Sequence, residues 1–408
     1  MGALQQFRYS IEFQYINVKK SSYVRIFSEN IRWVMIDRDY ESYNMPLIYA
    51  NISISKKLAD DMILNYRDNL INVVITKHAY DTDDEQWMNS TIEEDYINAQ
   101  FEYFTDDRIN DNDDIDYGTD ETEDRKDIYR NITIGLMKLS LINNNKKRFN
   151  MTLMNTTMTN AVMTVTKDLP ELVMEPLTYD DMIPQLILPS VDSISKMIYS
   201  LNQVKVLYST QYRFFMDFDA TYLLSSEGNS VKKKGQNITD LLISIKKATD
   251  KDGMKEGVYL NRKEKCYQIN ISSTNVDIYD DHNMEKSATQ IVGIQINGEK
   301  QEQNLDIDTS VSNSSKTATI TIPNENMNMI KNIKSEAESN ALYVCITKDN
   351  IDSEIININS TIVIHHLDEN VKYNGQYVLS RKRELLLSDG MDFTMTVIAN
   401  YKKLRKVV

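Results

Sequence analysis

The chain has few of the residues on which most enzyme sites depend. Its 408 residues include 11 glycines, 6 prolines, 4 histidines and 2 cysteines. A phosphate-binding loop needs glycine where the backbone approaches its ligand, and neither G-x-G-x-x-G nor G-x-x-x-x-G-K-[ST] occurs. Cys266 and Cys345 lack the C-x-x-C spacing of a zinc site, and they are too few for a disulfide scaffold. We therefore predict no metal site, no cofactor and no catalytic residues.

Long apolar runs and an excess of positive charge are also missing. No run approaches the ~18 apolar residues that a membrane span needs, and the first residues do not read as a signal peptide. We therefore expect no membrane partner. The 46 Lys and Arg against 60 Asp and Glu give a formal net charge of -14. Because binding to nucleic acid phosphates needs clustered positive charge, we expect DNA at most to pass by such a surface without sticking.

Apolar residues mostly alternate with polar ones, which indicates strands. The pattern is clear at Phe7, Tyr9, Ile11, Phe13 and Tyr15. Helices are predicted at 55–65, 190–202 and 239–247 from their capping residues and apolar spacing. The predicted fold class is α+β, mainly β, with two β domains flanking a mixed α/β middle region. Further strand-like runs are 48–54, 73–75, 132–141, 150–167, 212–224, 258–260, 266–272, 291–296, 318–322, 340–347 and 355–366.

Changes in composition divide the chain into three predicted domains. The first β domain is 1–167, the middle domain 168–254 and the second β domain 255–408. Eleven acidic residues between Asp106 and Asp127 predict that 81–127 is a solvated acidic insertion in the first domain, since such a stretch buries little apolar surface. The boundary near 168 is predicted from four prolines within twenty residues, which are Pro170, Pro176, Pro184 and Pro189.

One short motif is a candidate for catalysis. The apolar run from Phe214 to Met216 leads into Asp217-Phe218-Asp219-Ala220-Thr221. The D-x-D-x-T pattern resembles the first motif of haloacid dehalogenase-like phosphatases. That resemblance implies that Asp217 is a nucleophile and magnesium ligand and Asp219 a general acid. In the structural alternative, both carboxylates face solvent or cap a turn. The phosphatase fold needs a doubly wound parallel sheet, which the remaining sequence does not predict.

The C-terminal residues 374–405 predict a β-hairpin. Tyr377 and Leu379 share one face of the first strand, and Ser388-Asp389-Gly390 forms the reversal. The return strand has four apolar residues on one face, which are Phe393, Met395, Val397 and Ala399.

This hairpin, with its G-x-Y-x-L-S, R, D-G and F-T residues, resembles the end of baseplate central hub proteins of contractile-tailed phages and tailocins. The stretch from the helix at Ser190 to Ser225 is similar to the centre of those proteins, which gives the D-x-D motif a non-catalytic place. The resemblance implies two tail-tube-like β domains and a structural function. It also predicts that the chain is not an enzyme.

The same resemblance implies the partners. Three copies would form a homotrimeric ring that adapts the hexameric tail tube to the trimeric central spike, or cell-puncturing protein, and that forms part of the DNA channel. Tail tube or tail-terminal proteins and baseplate wedge proteins would be its neighbours. The implied location is the virion tail baseplate, after assembly in the host cytoplasm. Another tube-like baseplate component, such as a distal tail or wedge protein, stays open as an alternative beside the phosphatase.

Overall fold

The structure is a computed structural model that describes residues 5–19, 21–41, 45–65, 69–81, 92–105, 129–209, 212–225, 240–247, 256–261, 266–280, 290–295, 300–304, 317–322, 342–367, 371–390 and 392–404. It is mainly β, as predicted. The strands are β1 (Gln5–Asn17), β2 (Ser22–Ile26), β3 (Ile31–Asp39), β4 (Leu47–Ser55), β5 (Asn69–Asp81), β6 (Ile92–Thr105), β7 (Tyr129–Lys138), β8 (Met151–Thr156), β9 (Glu171–Met174), β10 (Ile183–Leu188), β11 (Tyr212–Met216), β12 (Ala220–Ser225), β13 (Asp240–Lys246), β14 (Gly257–Asn261), β15 (Cys266–Ser272), β16 (Val276–Asp280), β17 (Gln290–Gln295), β18 (Lys300–Asn304), β19 (Thr317–Ile322), β20 (Leu342–Asp349), β21 (Thr361–His366), β22 (Gly375–Asp389) and β23 (Asp392–Lys403).

Four α-helices lie within the described residues: α1 (Lys56–Leu64), α2 (Leu139–Asn145), α3 (Met158–Thr166) and α4 (Ile194–Val204). The predicted helix at 55–65 is confirmed as α1, with Ser55 accepting the N–H of Leu58. The helix predicted from Ser190 begins later, because Ser193 is the residue that caps α4. None of the described helices is long and apolar enough to span a membrane.

Eight antiparallel strands form a sheet that closes on itself, here called the closed sheet. Its order is β22-β3-β4-β7-β6-β5-β1-β23, and β23 pairs again with β22. Successive strand residues point to opposite faces, so the alternating apolar residues of β1 fill the interior. Its buried side chains include Tyr9, Phe13, Ile36, Phe101 and Phe393.

The predicted C-terminal hairpin is confirmed as β22 and β23, and it belongs to two groups of strands at once. The first half of β22 pairs with β21, and the second half pairs with β3. In the same way β23 pairs with both β20 and β1. From β21 the sheet continues through β13 and β15 to β14, and from β20 it continues to β16; these six strands are called the outer strands. The reversal is made at Gly390, whose φ of +87° suits glycine.

The mixed middle region has its own hydrophobic core, which draws residues from Leu141 to Leu223. Helices α3 and α4 pack here beside the antiparallel pair β8–β10 and the three-stranded sheet β9-β12-β11. The buried faces of the two helices comprise Met158, Ala161, Val162, Val165, Ile194, Met197, Ile198 and Leu201.

Several predicted elements need correction. Residues 239–247 were predicted as a helix but form β13, which lies between the parallel strands β15 and β21. A strand covered on both sides reads as a nearly continuous apolar run, which periodicity does not separate from a helix. The strand predicted at 150–167 ends after β8, and Thr157 then caps α3. The run 132–141 likewise ends as a strand at Lys138, where α2 follows.

The predicted acidic insertion at 81–127 is wrong over part of its length. Residues 92–105 form β6, which pairs with β5 and β7 inside the closed sheet. Its inward side chains Ile97, Phe101 and Tyr103 are buried, while acidic residues occupy its exposed positions. Residues 82–91 and 106–127 of that prediction lie outside the described residues. The division into three domains stays a prediction, and hydrogen bonds of the C-terminal hairpin join strands from both predicted β domains.

Candidate functional site

Residues 212–225, around Phe214, form a two-stranded layer that separates the two hydrophobic cores. Strands β11 and β12 form an antiparallel hairpin. Phe214 and Leu223 point into the core of the middle region. Phe215 and Tyr222, on the opposite face, are stacked with ring centroids 4.9 Å apart and belong to the core of the closed sheet. The hairpin is therefore where the middle region joins the closed sheet.

The turn of this hairpin, Asp217 to Asp219, docks onto the closed sheet. The Asp217 carboxylate accepts the N–H of Phe218 at 2.7 Å and the Nε–H of Arg38 on β3 at 3.0 Å. The Phe218 ring lies 5.2 Å from the Arg38 guanidinium and packs edge-to-face on Phe101 of β6. Lys138 Nζ donates to the Phe218 carbonyl oxygen at 2.6 Å. The turn is thus held by an ion pair, an aromatic contact and a backbone hydrogen bond.

The Arg38–Asp217 pair continues into a buried charge cluster, defined here as Arg38, Tyr96, Asp217, Lys382 and Glu384. Glu384 Oε2 accepts a hydrogen bond from Arg38, and Glu384 Oε1 accepts bonds from Tyr96 Oη at 2.6 Å and from Lys382 Nζ at 2.9 Å. The Glu384 side chain is fully buried, while those of Lys382 and Arg38 are 6% and 10% exposed. Buried charges persist only when they are paired, and here two cations surround one carboxylate.

Burial and the neighbouring charges have opposite effects on the pKa values of the groups in the cluster. Burial alone would raise the pKa of Glu384, but the charges of Arg38 and Lys382 and the hydrogen bonds from Tyr96 and Lys382 hold it well below its usual range. Burial lowers the pKa of Lys382, and Glu384 partly compensates. For Arg38 the attraction of Glu384 and Asp217 exceeds the effect of burial, so its pKa is raised. Glu384 and Arg38 are therefore charged near neutral pH.

A connecting stretch between β20 and β21, called the 350–360 segment, rests on this cluster. Lys382 Nζ donates to the carbonyl oxygens of Ser353 at 2.7 Å and Ile356 at 2.9 Å. The hydroxyls of Tyr96 and Ser353 are 2.8 Å apart. Lys77 of β5 holds the segment from a second point through Asp352 at 2.9 Å. The segment has no regular strand pairing of its own, so these polar contacts and its buried isoleucines fix it.

The phosphatase alternative for Asp217 and Asp219 is not supported. That chemistry needs a parallel strand followed by a crossover helix, whereas the two acids lie in the tight turn between antiparallel β11 and β12. Asp217 is engaged by Arg38, and Asp219 lies beside Lys138, where the two carboxylates oppose the lowering of the Lys138 pKa by burial. Over the described residues, no group of three or more His, Cys, Asp or Glu is placed to hold a metal ion.

Sequence reasoning missed the partners of Asp217. Arg38 and Glu384 are 346 positions apart, and charged residues on strands are ordinarily assigned to the solvent face. A signal was present in the alternation. Arg38 is in phase with buried Val34 and Ile36, and Glu384 is in phase with buried Leu386. A charged residue in phase with apolar neighbours points inward, where it needs a partner.

No protein-family model matches the chain, and no curated protein matches it in sequence. Among solved structures it is similar to a tail protein from Neisseria meningitidis, at 11% identity and a TM-score of 0.50, over 98% of this chain and 97% of that one. The 43 kDa tail protein of prophage MuSo2 from Shewanella oneidensis gives 10% identity, a TM-score of 0.49, and coverages of 97% and 96%. A Francisella PdpA–VgrG complex gives 10% identity and a TM-score of 0.47, over 98% of this chain and 53% of that one. The chain has the fold of a tail protein, and the predicted resemblance is confirmed at the level of the fold.

Proposed function

We propose that the chain is a structural hub subunit of a phage or tailocin baseplate, acting as a trimer. The observation that carries this proposal is the fold shared with a tail protein from one end to the other, over 98% of this chain and 97% of that protein. The match extends over the closed sheet, the middle region and the outer strands of this chain together. A local likeness confined to a common β motif would not extend so far.

The arrangement of strands supports a ring-forming role. The C-terminal hairpin gives each subunit two adjoining groups of strands, the closed sheet and the outer strands. Three subunits with two such groups each would present six units around an axis, which matches a hexameric tail tube on one side and a trimeric spike on the other. Tail tube, spike and wedge proteins are the proposed partners, in the virion tail.

Charge supports a passage for DNA, and the Asp217 turn supports a non-enzymatic role. A net charge of -14 disfavours binding to phosphates along a channel wall. Asp217, which has a catalytic resemblance, instead joins the β11–β12 hairpin to the closed sheet through Arg38. We infer that the motif has a structural role at this contact.

The oligomeric state of the purified full chain tests the proposal. Light scattering after size exclusion, together with native mass spectrometry, should give a species of three times 47.4 kDa. Measurements over a hundredfold range of concentration separate a stable trimer from a weak one. A monomer at every concentration would contradict the hub, and a hexamer would replace it with another tube-like baseplate component.

A further inference from the structure

The charge cluster touches three parts of the molecule that are distant in sequence. Asp217 belongs to the middle region, Arg38 and Glu384 to the closed sheet, and Ser353 to the segment that leads into the outer strands. Contacts of this kind can hold the middle region, the closed sheet and the 350–360 segment together. They can also transmit a displacement of one of these parts to another.

The two oxygens of Glu384 face different parts. Oε2 binds Arg38, which in turn binds Asp217. Oε1 binds Tyr96 and Lys382, and both of these contact the 350–360 segment. One planar carboxylate therefore fixes both contacts, and a shift that favours one oxygen changes the geometry at the other. The group is fully buried, so water does not replace a contact that is lost.

We propose that Glu384 is a mechanical link through which the position of the Asp217 turn controls the 350–360 segment. When the middle region moves, the Asp217 carboxylate separates from Arg38. The Arg38 guanidinium then interacts more strongly with Glu384, and the hydrogen bonds that Tyr96 and Lys382 donate to Glu384 weaken. The segment then loosens, and it connects directly to β20 and β21, which pair with the C-terminal hairpin. Movement of the middle region thereby reaches the outer strands.

A second contact joins the same parts without the cluster. Burial raises the pKa of Tyr222 of the β11–β12 hairpin, and the side chain of Asn359 of the segment, close to the Tyr222 hydroxyl, opposes that rise. This contact offers a competing route, and Tyr222→Phe removes it while leaving the Arg38–Glu384–Lys382 contacts in place. The two routes are therefore separable by mutation.

Hydrogen exchange of the full chain, followed by mass spectrometry, tests the link. Asp217→Asn keeps the size of the side chain and removes its charge. It should increase amide exchange about tenfold both at 212–225 and at 350–360, the scale of a coupled local opening. Asp219→Asn makes the same chemical change in the same turn but keeps the Arg38–Asp217 pair, and should leave 350–360 at the wild-type rate.

The route is tested by combining variants. In a Glu384→Gln background, adding Asp217→Asn should change exchange at 212–225 only. Should Glu384→Gln fail to fold, Tyr96→Phe removes one of the two contacts on the segment side and should reduce the transmitted effect at least threefold, on the scale of one coupled contact. The link is refuted if Asp217→Asn leaves 350–360 unchanged, if Asp219→Asn loosens it equally, or if Tyr222→Phe abolishes the transmission.

Discussion

At the scale of single residues, Glu384 shows how a buried charge is kept in a β protein. Its carboxylate lies in the interior, where an isolated charge would be strongly unfavourable. Arg38 and Lys382 supply two positive charges, and Tyr96 supplies a hydroxyl donor. Removing one member leaves the others buried and unpaired, which is why such clusters are costly to break even where their net stabilisation is small.

The lowered pKa of Glu384 predicts a dependence of stability on pH. An unfolded Glu titrates near 4.3, whereas the folded Glu384 stays ionised below that value. Between pH 5 and pH 3 the unfolded chain takes up the proton and the folded chain does not, so the contribution of Glu384 to stability is present above the unfolded pKa and falls with pH. Linkage limits the slope to about 1.4 kcal/mol per pH unit. Glu384→Gln should flatten the fall by about 1 kcal/mol per unit.

Denaturant unfolding at fixed protein concentration, repeated at half-unit steps of pH, measures this difference. Glu354→Gln is the matched control, because Glu354 is also near a lysine but is 65% exposed. Its interaction with Lys77 is screened by solvent, so this variant shows what the loss of an exposed carboxylate does to the slope. Equal slopes for Glu384→Gln and the wild type would show that Glu384 titrates normally in the folded state.

At the scale of strands, Gly135 of β7 makes space for the aromatic ring of Phe104 on the neighbouring strand β6. It pairs directly with Phe104 of β6 and with Tyr49 of β4. A Cβ atom at this position would lie 2.2 Å from the Phe104 ring. The ring therefore covers the glycine backbone and packs edge-to-face on Tyr49, with centroids 6.4 Å apart.

Gly135→Ala should lower the free energy of unfolding by about 1–3 kcal/mol, since the Phe104 ring must move. Phe104→Ala alone removes ring packing and is also destabilising. In the double variant the added methyl group meets no ring, so the combined loss should be smaller than the sum of the two single losses. A double-mutant cycle by denaturant unfolding measures the coupling. Strictly additive losses would mean that the ring and the glycine do not interact.

Elements with a clear period of two could be predicted from the sequence, and those with mixed signals could not. Strand β23 has buried Phe393, Met395 and Val397 at alternating positions, so the hairpin followed directly. Strand β13 has apolar residues at neighbouring positions because parallel strands cover it, and it was mistaken for a helix. Strand β6 was not predicted, because its exposed acidic residues were interpreted as part of a solvated insertion. The Asp217 turn was found by its motif, but its function depends on Arg38, a contact between residues 179 positions apart that no local pattern contains.

At the scale of the whole molecule, the C-terminal hairpin joins the closed sheet to the outer strands. Strand β22 changes partner near Ser380, where the pairing with β23 shifts from Leu379 to Arg381. The extra residue reverses the alternation: Tyr377 and Leu379 point inward before it, and Lys382 and Glu384 point inward after it. A bulge of one residue thereby changes which sequence positions of β22 point inward, while the alternation of its partner β23 continues unbroken from Phe393 to Tyr401.

Deleting Ser380 should therefore leave both groups of strands in place, because Leu379 and Arg381 already occupy adjacent pairing positions opposite Tyr401 and Asn400. Without the extra residue the alternation of β22 becomes continuous, so Lys382 and Glu384 still point inward and the charge cluster is kept. We expect a cooperative thermal transition and hydrogen-exchange protection in β3 and β21 alike, with stability lowered by about 1 kcal/mol for each hydrogen bond of Ser380 that is lost. Ser380→Ala is the control: it keeps the residue count, loses one hydrogen bond to the Asn400 carbonyl oxygen, and should lower stability by about 1 kcal/mol. If the deletion variant kept protection in β21 and lost it in β3, the bulge itself would be needed to form the closed sheet, and a continuous alternation in β22 would not be enough.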